Sequence, residues 1–318
     1  APKFLPGNFE LPLALIACAL LMLFVIDYRR WRLAVAVSWA VAIGVMLTGG
    51  YYISSYVRSS LVMERNFYGS LRVNEVKPGT EDEIRTLVHG TVIHGKQFTA
   101  PDRRREHITY YGPSSGVGLA VNYLRHSRLK VGVIGLGAGS LAAYAQPGDV
   151  FRFYEINPLV EKLARSEFTY LADCRGKTEI ILGDGRLSLE REPDQQYDLL
   201  VIDAFSGDSV PVHLLTRQAM ELYFRHVKPG GILALNITNS HLDLASVVEK
   251  LSLALGKRAV LVTNNEDKVR EINHARWALV SSKPTASSAI QNAATRLVSR
   301  PDLRVWTDDY NNLFQILK

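Results

Sequence analysis

Four short apolar runs in this chain each end on groups that could do chemistry. Residues 131–140 (VGVIGLGAGS) finish in the alternate glycines Gly135, Gly137 and Gly139. Residues 151–158 (FRFYEINP) carry Glu155 about 20 residues further on, and residues 180–186 (IILGDGR) carry Asp184 and Gly185. Residues 197–203 (YDLLVID) end on Asp203. Glycines at a strand-to-helix turn let a ligand approach backbone N–H groups without Cβ atoms in the way. An acid after such a loop is placed to accept hydrogen bonds from both hydroxyls of a ribose. The glycines alone have a sufficient backbone explanation, but strands that each deliver a polar residue at their C-terminal ends build the mouth of an open α/β sheet. The reading is a nucleoside-binding crevice.

The loop also chooses between ligands. A dinucleotide fold prefers a third glycine where Ser140 stands, whereas Gly135, Gly137 and Gly139 fit the tighter pattern of S-adenosylmethionine-type folds. Nicotinamide is the second choice. Such folds place a side chain at Asp184 against the adenine amino group, with Asp203 nearer the reacting end. The fold expected is α/β, a Rossmann-like S-adenosylmethionine-dependent methyltransferase fold from about Leu129 to Lys283.

Other elements must position these groups. Residues 66–76 and 84–94, rich in β-branched and aromatic side chains and separated by a Lys-Pro-Gly-Thr turn, predict a small antiparallel β unit. Residues 110–116 (YYGPSSG) open a helical stretch through Arg125. Residues 227–236 read as a late helix, turn and strand, and a helix is expected near Ala286 to Ser299, ahead of the polar run at residues 306–312 (WTDDYNN). The division expected is 1–55 transmembrane helices, 56–110 β unit and 111–318 catalytic domain.

With 318 residues and 47% hydrophobic content the chain can bury one large α/β core plus additions. The formal charge of +6 is scattered, and the run at Arg103, Arg104 and Arg105 has no accompanying recognition motif, so no nucleic-acid partner is expected. Cys18 and Cys174 form no Cys-x-x-Cys pair and no histidines stand at zinc spacing, so reduced thiols and no metal are expected.

Leu11 to Ile26 and Leu33 to Ile53 contain no charge and read as two membrane helices around a headgroup-level turn, Asp27 to Arg32. A signal peptide fits poorly, because no basic start precedes the first run and a second apolar run follows. A start at Ala1 rather than Met is consistent with a fragment of a longer membrane protein. Arginines on both sides leave orientation undecided by charge, and cofactor supply favours an inner-membrane, multi-pass protein with a cytoplasmic catalytic domain.

The β unit with residues 67–73 (FYGSLRV), the hairpin from His89 to His94, the Gly-x-Gly-x-Gly loop, Glu155, Asp184 between two glycines, and Asp203 together resemble the spermidine synthases, and their membrane-attached bacterial relatives in particular. The resemblance covers the chain from about Arg65 onward. It implies transfer of an aminopropyl group from decarboxylated S-adenosylmethionine to a small amine such as putrescine. By the same resemblance Asp203 is the catalytic aspartate, Glu155 holds the ribose, Asp184 the adenine, and Tyr68 with Tyr110 or Tyr111 lines the amine channel. Homodimerisation is left open.

The departures from that family concern the amine. The glycine-loop aspartate of spermidine synthases is Ala138 here, the second aspartate falls on Ser206 with Asp208 shifted, and the hairpin glutamine falls on His94. Asp308 and Asp309, beside Trp306 and Tyr310, are candidates to hold a cation instead, and His241 after the 236–239 strand end is weighed against a plain surface role. Two further readings stand beside the transferase: a methyltransferase using intact S-adenosylmethionine, and a non-catalytic membrane sensor of polyamines or nucleosides.

Overall fold

The computed structural model describes residues 9–25, 32–204, 211–284 and 287–318. Helices α1 (Glu10–Val25) and α2 (Arg32–Arg58) pack antiparallel, with Ala19 against Ala42 and Ile16 lying over Gly49. Small residues at the crossing let the two backbones approach. The pair's open end is tied to the β unit: Glu10 accepts from Arg65 at 2.5 Å, and the Arg72 guanidinium stacks 4.1 Å from the centre of the Tyr56 ring.

Strands β1 (Ser60–Asn66), β2 (Gly69–Val76), β3 (Ile84–His89) and β4 (Val92–Phe98) form an antiparallel sheet in sequential order, the unit expected from the β-branched and aromatic content of these runs. Leu71, Val73 and Leu87 are buried on its inner face. The following stretch is helical only as α3 (Gly116–Leu124), because Pro113 interrupts the run and Ser115 supplies the N-cap through its hydroxyl to the Gly118 N–H.

The main sheet is built from β5 (Lys130–Ile134), β6 (Val150–Glu155), β7 (Lys177–Leu182), β8 (Tyr197–Ile202), β9 (Val227–Asn236), β10 (Arg258–Asn264), β11 (Ala275–Ser281) and β12 (Ala294–Arg296). Its order is β12-β10-β11-β9-β8-β5-β6-β7, parallel from β5 to β9 and antiparallel beyond β9. Helices α4 (Pro158–Ser166), α5 (Gly185–Arg191), α6 (Arg217–His226), α7 (Leu244–Ala254) and α8 (Ser288–Ala293) complete it. Successive β8 residues supply both faces: Leu199 and Val201 enter the core shared with α3 and α4, Leu200 and Ile202 the one shared with α6 and α7. That explains the unbroken apolar run, since a parallel strand covered on both sides has no polar face. The helix expected up to Ser299 ends at Ala293, and residues 294–296 pair with β10 as a sheet edge.

The chain leaves β5 toward β6 on one side, while β8 lies on the other, so the β5/β8 boundary is the switch point where ligands enter such sheets. The β unit covers this point. The His94 carbonyl on β4 accepts from the Ala138 N–H at 3.2 Å, and a Cβ on Gly137 would run into the same carbonyl oxygen. Across the contact a Cβ on Gly95 would meet Ala138 Cβ at 2.6 Å. Gln97 exchanges two hydrogen bonds with Thr169, at 2.8 and 2.9 Å, and Asn66 donates to Asn157 at 2.6 Å.

Of the two apolar helices, α2 contains the one stretch among the described residues long and apolar enough to cross a membrane, Val35–Arg58. The apolar part of α1, Glu10–Leu21, is shorter, so the expectation of two spans is corrected to one such helix with a shorter packed partner. The Asp27 to Arg32 turn lies outside the described residues apart from its last position.

Replacing Gly137 by Ala tests the close approach. The position has φ +55° and no room for Cβ, so left-handed strain alone should cost about 1–3 kcal/mol. Urea denaturation should show a lower midpoint; an unchanged midpoint means that β4 does not rest on the loop.

Candidate active site

The glycine loop is shaped by contacts that side chains would block. Gly135 (φ +102°) lies against the Asp203 carbonyl, and the loop is held between β6 and β8 by Gly135 N–H to Tyr154 O and Asp203 N–H to Ile134 O, both 2.8 Å. Gly139 is also left-handed, at φ +82°. Ala138 is buried with its methyl turned under β4, so this side chain faces the hairpin and not the crevice.

Two cavities open on the loop. The larger, about 270 Å³, is lined by Gly135 and Gly137, by Glu155, Ile156 and Asn157 after β6, by Asp184 and Gly185 after β7, by Asp203, and by Tyr68, His89 and His94 from the β unit. Glu155 is buried; one carboxylate oxygen accepts the Leu136 N–H at 3.0 Å and the other the Asn157 N–H at 2.8 Å. Burial raises its pKa, while the N–H groups of Asn157, Leu136 and Ile156 pull the other way. Asp184 caps α5 by accepting the Leu187 N–H at 2.9 Å, and its second oxygen lies 3.1 Å from His213 Nε2.

The second cavity, about 190 Å³, is lined by Val92, Ile93 and His94 on β4, Tyr110, Tyr111, Gly137, Asp203, Asn236, Thr238, Asn239 and Ser240. His94, Gly137 and Asp203 line both cavities and so form their common wall. Asp203 accepts from the Tyr111 hydroxyl at 2.5 Å and from the Asn236 amide at 2.9 Å. Burial holds its carboxyl above the usual range, opposed by these two donors. Burial and the Asp203 charge keep the Tyr111 phenol well above its ordinary pKa, so it remains a donor at neutral pH. Tyr111 is itself held by Tyr144, whose hydroxyl donates to the Tyr111 carbonyl at 2.6 Å. His94 Nε2 is buried without a hydrogen-bond partner, and burial, with His89 beside it, lowers the imidazole to about 4; the ring is neutral at pH 7.

Gly135, Gly137, Glu155, Asp184, Gly185, Asp203, His94, Tyr110 and Tyr111 are therefore brought together, although Tyr68 lines the larger cavity and not the one with Tyr110 and Tyr111, and Gly139 lines neither and lies against Leu171. Asp308 and Asp309 line neither cavity. Asp308 is engaged by the protein's own cation, accepting two bonds from Arg186 at 2.8 and 2.6 Å and one from Thr216 at 2.7 Å, and Trp306 is fully buried. In place of the cation site expected there, Asp308 forms an internal ion pair that ties α5 to the 306–310 segment and, through Thr216, to the start of α6. His241 also lines neither cavity, and Asp208 lies outside the described residues. Asn236, Thr238 and His213 were missed as site groups. The signal for Asn236 was available, because it ends a buried strand beside the one ending in Asp203.

No family model matches the chain. A polyamine aminopropyltransferase of Vibrio vulnificus is 32% identical over 109 residues, 33% of this chain and 36% of that protein. A probable polyamine aminopropyl transferase of Bifidobacterium longum is 24% identical over 241 residues, 74% of this chain and 50% of that protein. The chain thus spans between about a third and a half of the length of these curated relatives. The crystal structure of a probable spermidine synthase from Corynebacterium glutamicum shares the fold, with TM-score 0.57 at 18% identity over 71% of this chain and 83% of that one. The chain is thus similar to polyamine aminopropyltransferases over part of its length and shares the fold of that spermidine synthase.

Proposed function

We propose that this chain transfers an aminopropyl group from decarboxylated S-adenosylmethionine to a small primary amine. The observation that carries the reading is Asp203 on the wall common to two cavities, one of them lined by the strand-end acids Glu155 and Asp184. In this reading the nucleoside occupies the larger cavity, with its ribose hydroxyls on Glu155 and its adenine toward Asp184, and the amine enters the second cavity past Tyr110 and Tyr111. An ammonium has no lone pair to attack with. Asp203 takes one proton, the freed nitrogen bonds to the propyl carbon beside the sulfonium, and the carbon–sulfur bond breaks to release methylthioadenosine. Positioning and proton removal supply the catalysis.

The same cavities favour the decarboxylated donor over the methyltransferase alternative. Among the described residues no Lys or Arg lines either cavity, while Glu155, Asp184 and Asp203 do. A donor bearing an α-carboxylate would meet acids and no cation, whereas a donor with only positive charge is complementary. Residues 111–318 act in this reading as the catalytic domain and residues 56–110 as its β cover. Residues 1–55 attach it to the inner membrane, with the catalytic domain on the cytoplasmic side where the donor is supplied.

Incubation with the decarboxylated donor and a panel of amines should release methylthioadenosine and yield amines heavier by one aminopropyl group, read by mass spectrometry. Asp203→Asn should reduce turnover by about a hundredfold or more while still binding methylthioadenosine. Methyl transfer from intact S-adenosylmethionine in the wild-type chain, or wild-type turnover in the variant, contradicts the reading.

Tyr111→Phe removes a donor that favours the charged carboxylate, so the Asp203 pKa should rise further. Since the base works deprotonated, the acidic limb of kcat/KM should move to higher pH. A hydrogen bond to a charged group is worth about 1.5–3 kcal/mol, which corresponds to about one to two pH units. A limb that stays in place assigns the base elsewhere.

The exposed apolar side chains of the helical pair, among them Leu11, Leu15, Leu21, Val41, Leu47 and Tyr51, should carry the full chain upward with phospholipid vesicles in a flotation gradient. A full chain that stays in the aqueous fraction, monomeric without detergent, removes the membrane attachment.

A further inference from the structure

Residues 66–69 (NFYG) make the tight turn between β1 and β2, and Asn66 holds it locally: its Oδ1 accepts the Tyr68 N–H at 3.0 Å, the bond to the backbone two residues on that suits Asn to turns. The same side chain also reaches the main fold, where its Nδ2 donates to Asn157 Oδ1 at 2.6 Å. Asn157 is buried. Its Oδ1 caps α4 by accepting the Leu159 N–H at 3.0 Å, and its own N–H donates to Glu155 Oε1 at 2.8 Å. One amide therefore ties together two walls of the larger cavity, the turn that carries Tyr68 and the turn that orients Glu155. A parallel tie runs beside it, from Lys162 Nζ on α4 to both oxygens of Glu64 on β1, at 2.6 and 2.8 Å.

Strand β1 is bound equally to the helical pair. Helix α2 ends at Arg58 and β1 begins at Ser60, so one residue joins them, and Arg65, the neighbour of Asn66, is paired with Glu10 at the start of α1. Successive strand residues face opposite sides, which lets Arg65 hold the helix while Asn66 reaches the main fold. We propose that Asn66 is a positioning residue for the ribose of the donor, and that the helical pair sets its place through Glu10 and Arg65, so that the apolar helices act on nucleoside affinity. The inference rests on the nucleoside reading of the larger cavity and deepens it. A carboxylate can accept two hydroxyls in a fixed geometry only while it is itself fixed by the groups behind it. Releasing β1 from α1 moves the Asn66 amide, loosens the Asn157 turn and frees Glu155 to rotate.

The test is calorimetry on the full chain in detergent with methylthioadenosine and with its 2′,3′-dideoxy analogue, which has no hydroxyl for Glu155. Asn66→Ala should weaken methylthioadenosine about five- to tenfold and leave the affinity of the analogue within about twofold. Asn66→Asp keeps the acceptor for the Tyr68 N–H but loses the donor to Asn157, so it should weaken methylthioadenosine to the same extent as Asn66→Ala. Glu10→Gln should weaken it about two- to fourfold, and should add nothing in combination with Asn66→Ala, since both act through one amide. Equal losses for the two ligands in Asn66→Ala, wild-type affinity in Asn66→Asp or in Glu10→Gln, or additive losses in the double variant overturn the inference and leave the nucleoside reading intact. A wild-type chain that binds methylthioadenosine no better than the analogue, or not at all, overturns both.

Discussion

The approach of the β4 backbone to the glycine loop is the contact on which the rest of the site depends. At Gly137 the His94 carbonyl occupies the space of a side chain, and at Gly95 the exchange is reciprocal, with the Ala138 methyl filling the gap. The hydrogen bond from the Ala138 N–H to the His94 oxygen, with those between Gln97 and Thr169, fixes the register of two sheets that are separate in sequence. The crevice at the β5/β8 boundary thereby becomes two cavities with a common wall. Without β4 in place, Asp203 and Gly137 would face one open cleft, with nothing to keep an attacking group and a leaving group on opposite sides.

The common wall sets an electrostatic compromise at Asp203. Burial favours the protonated carboxyl, which cannot accept a proton, whereas the Tyr111 hydroxyl and the Asn236 amide favour the carboxylate. A proton acceptor for an amine needs both influences, since an exposed aspartate would be too weak a base and an unsupported buried one would already be protonated. The donors are themselves held: Tyr111 by the Tyr144 hydroxyl, and Asn236 by the turn it makes with Thr238. The Tyr144 ring stacks on His107 at 3.7 Å, so the support reaches back to the segment that joins the β unit to the main fold.

Much of this was legible in the sequence because it depends on local chemistry. Alternate glycines after an apolar run, and acids at the ends of three more strands, follow from the geometry of a parallel sheet. What depended on distant residues was not legible. Asp308 looked available for a ligand cation because its partner Arg186 lies 122 residues away. Ala138 looked like a vacated ligand contact, but its direction is set by a hairpin some 40 residues earlier in the chain. The resemblance puts Tyr68 on the amine side, whereas the turn between β1 and β2 carries it over the larger cavity. The helix ending at Ala293 was overextended because three residues of edge strand carry too short a pattern to be told from a helix end.

The central claim is spatial: a nucleoside and an amine occupy adjoining cavities and meet at Asp203. A crystal structure of the full chain with methylthioadenosine and a bound primary amine measures it directly. The account predicts the ribose hydroxyls on Glu155, and the amine nitrogen within hydrogen-bond distance of Asp203 on the Tyr111 side of the wall. A nucleoside bound away from Glu155, or an amine nitrogen that does not reach Asp203, would contradict it.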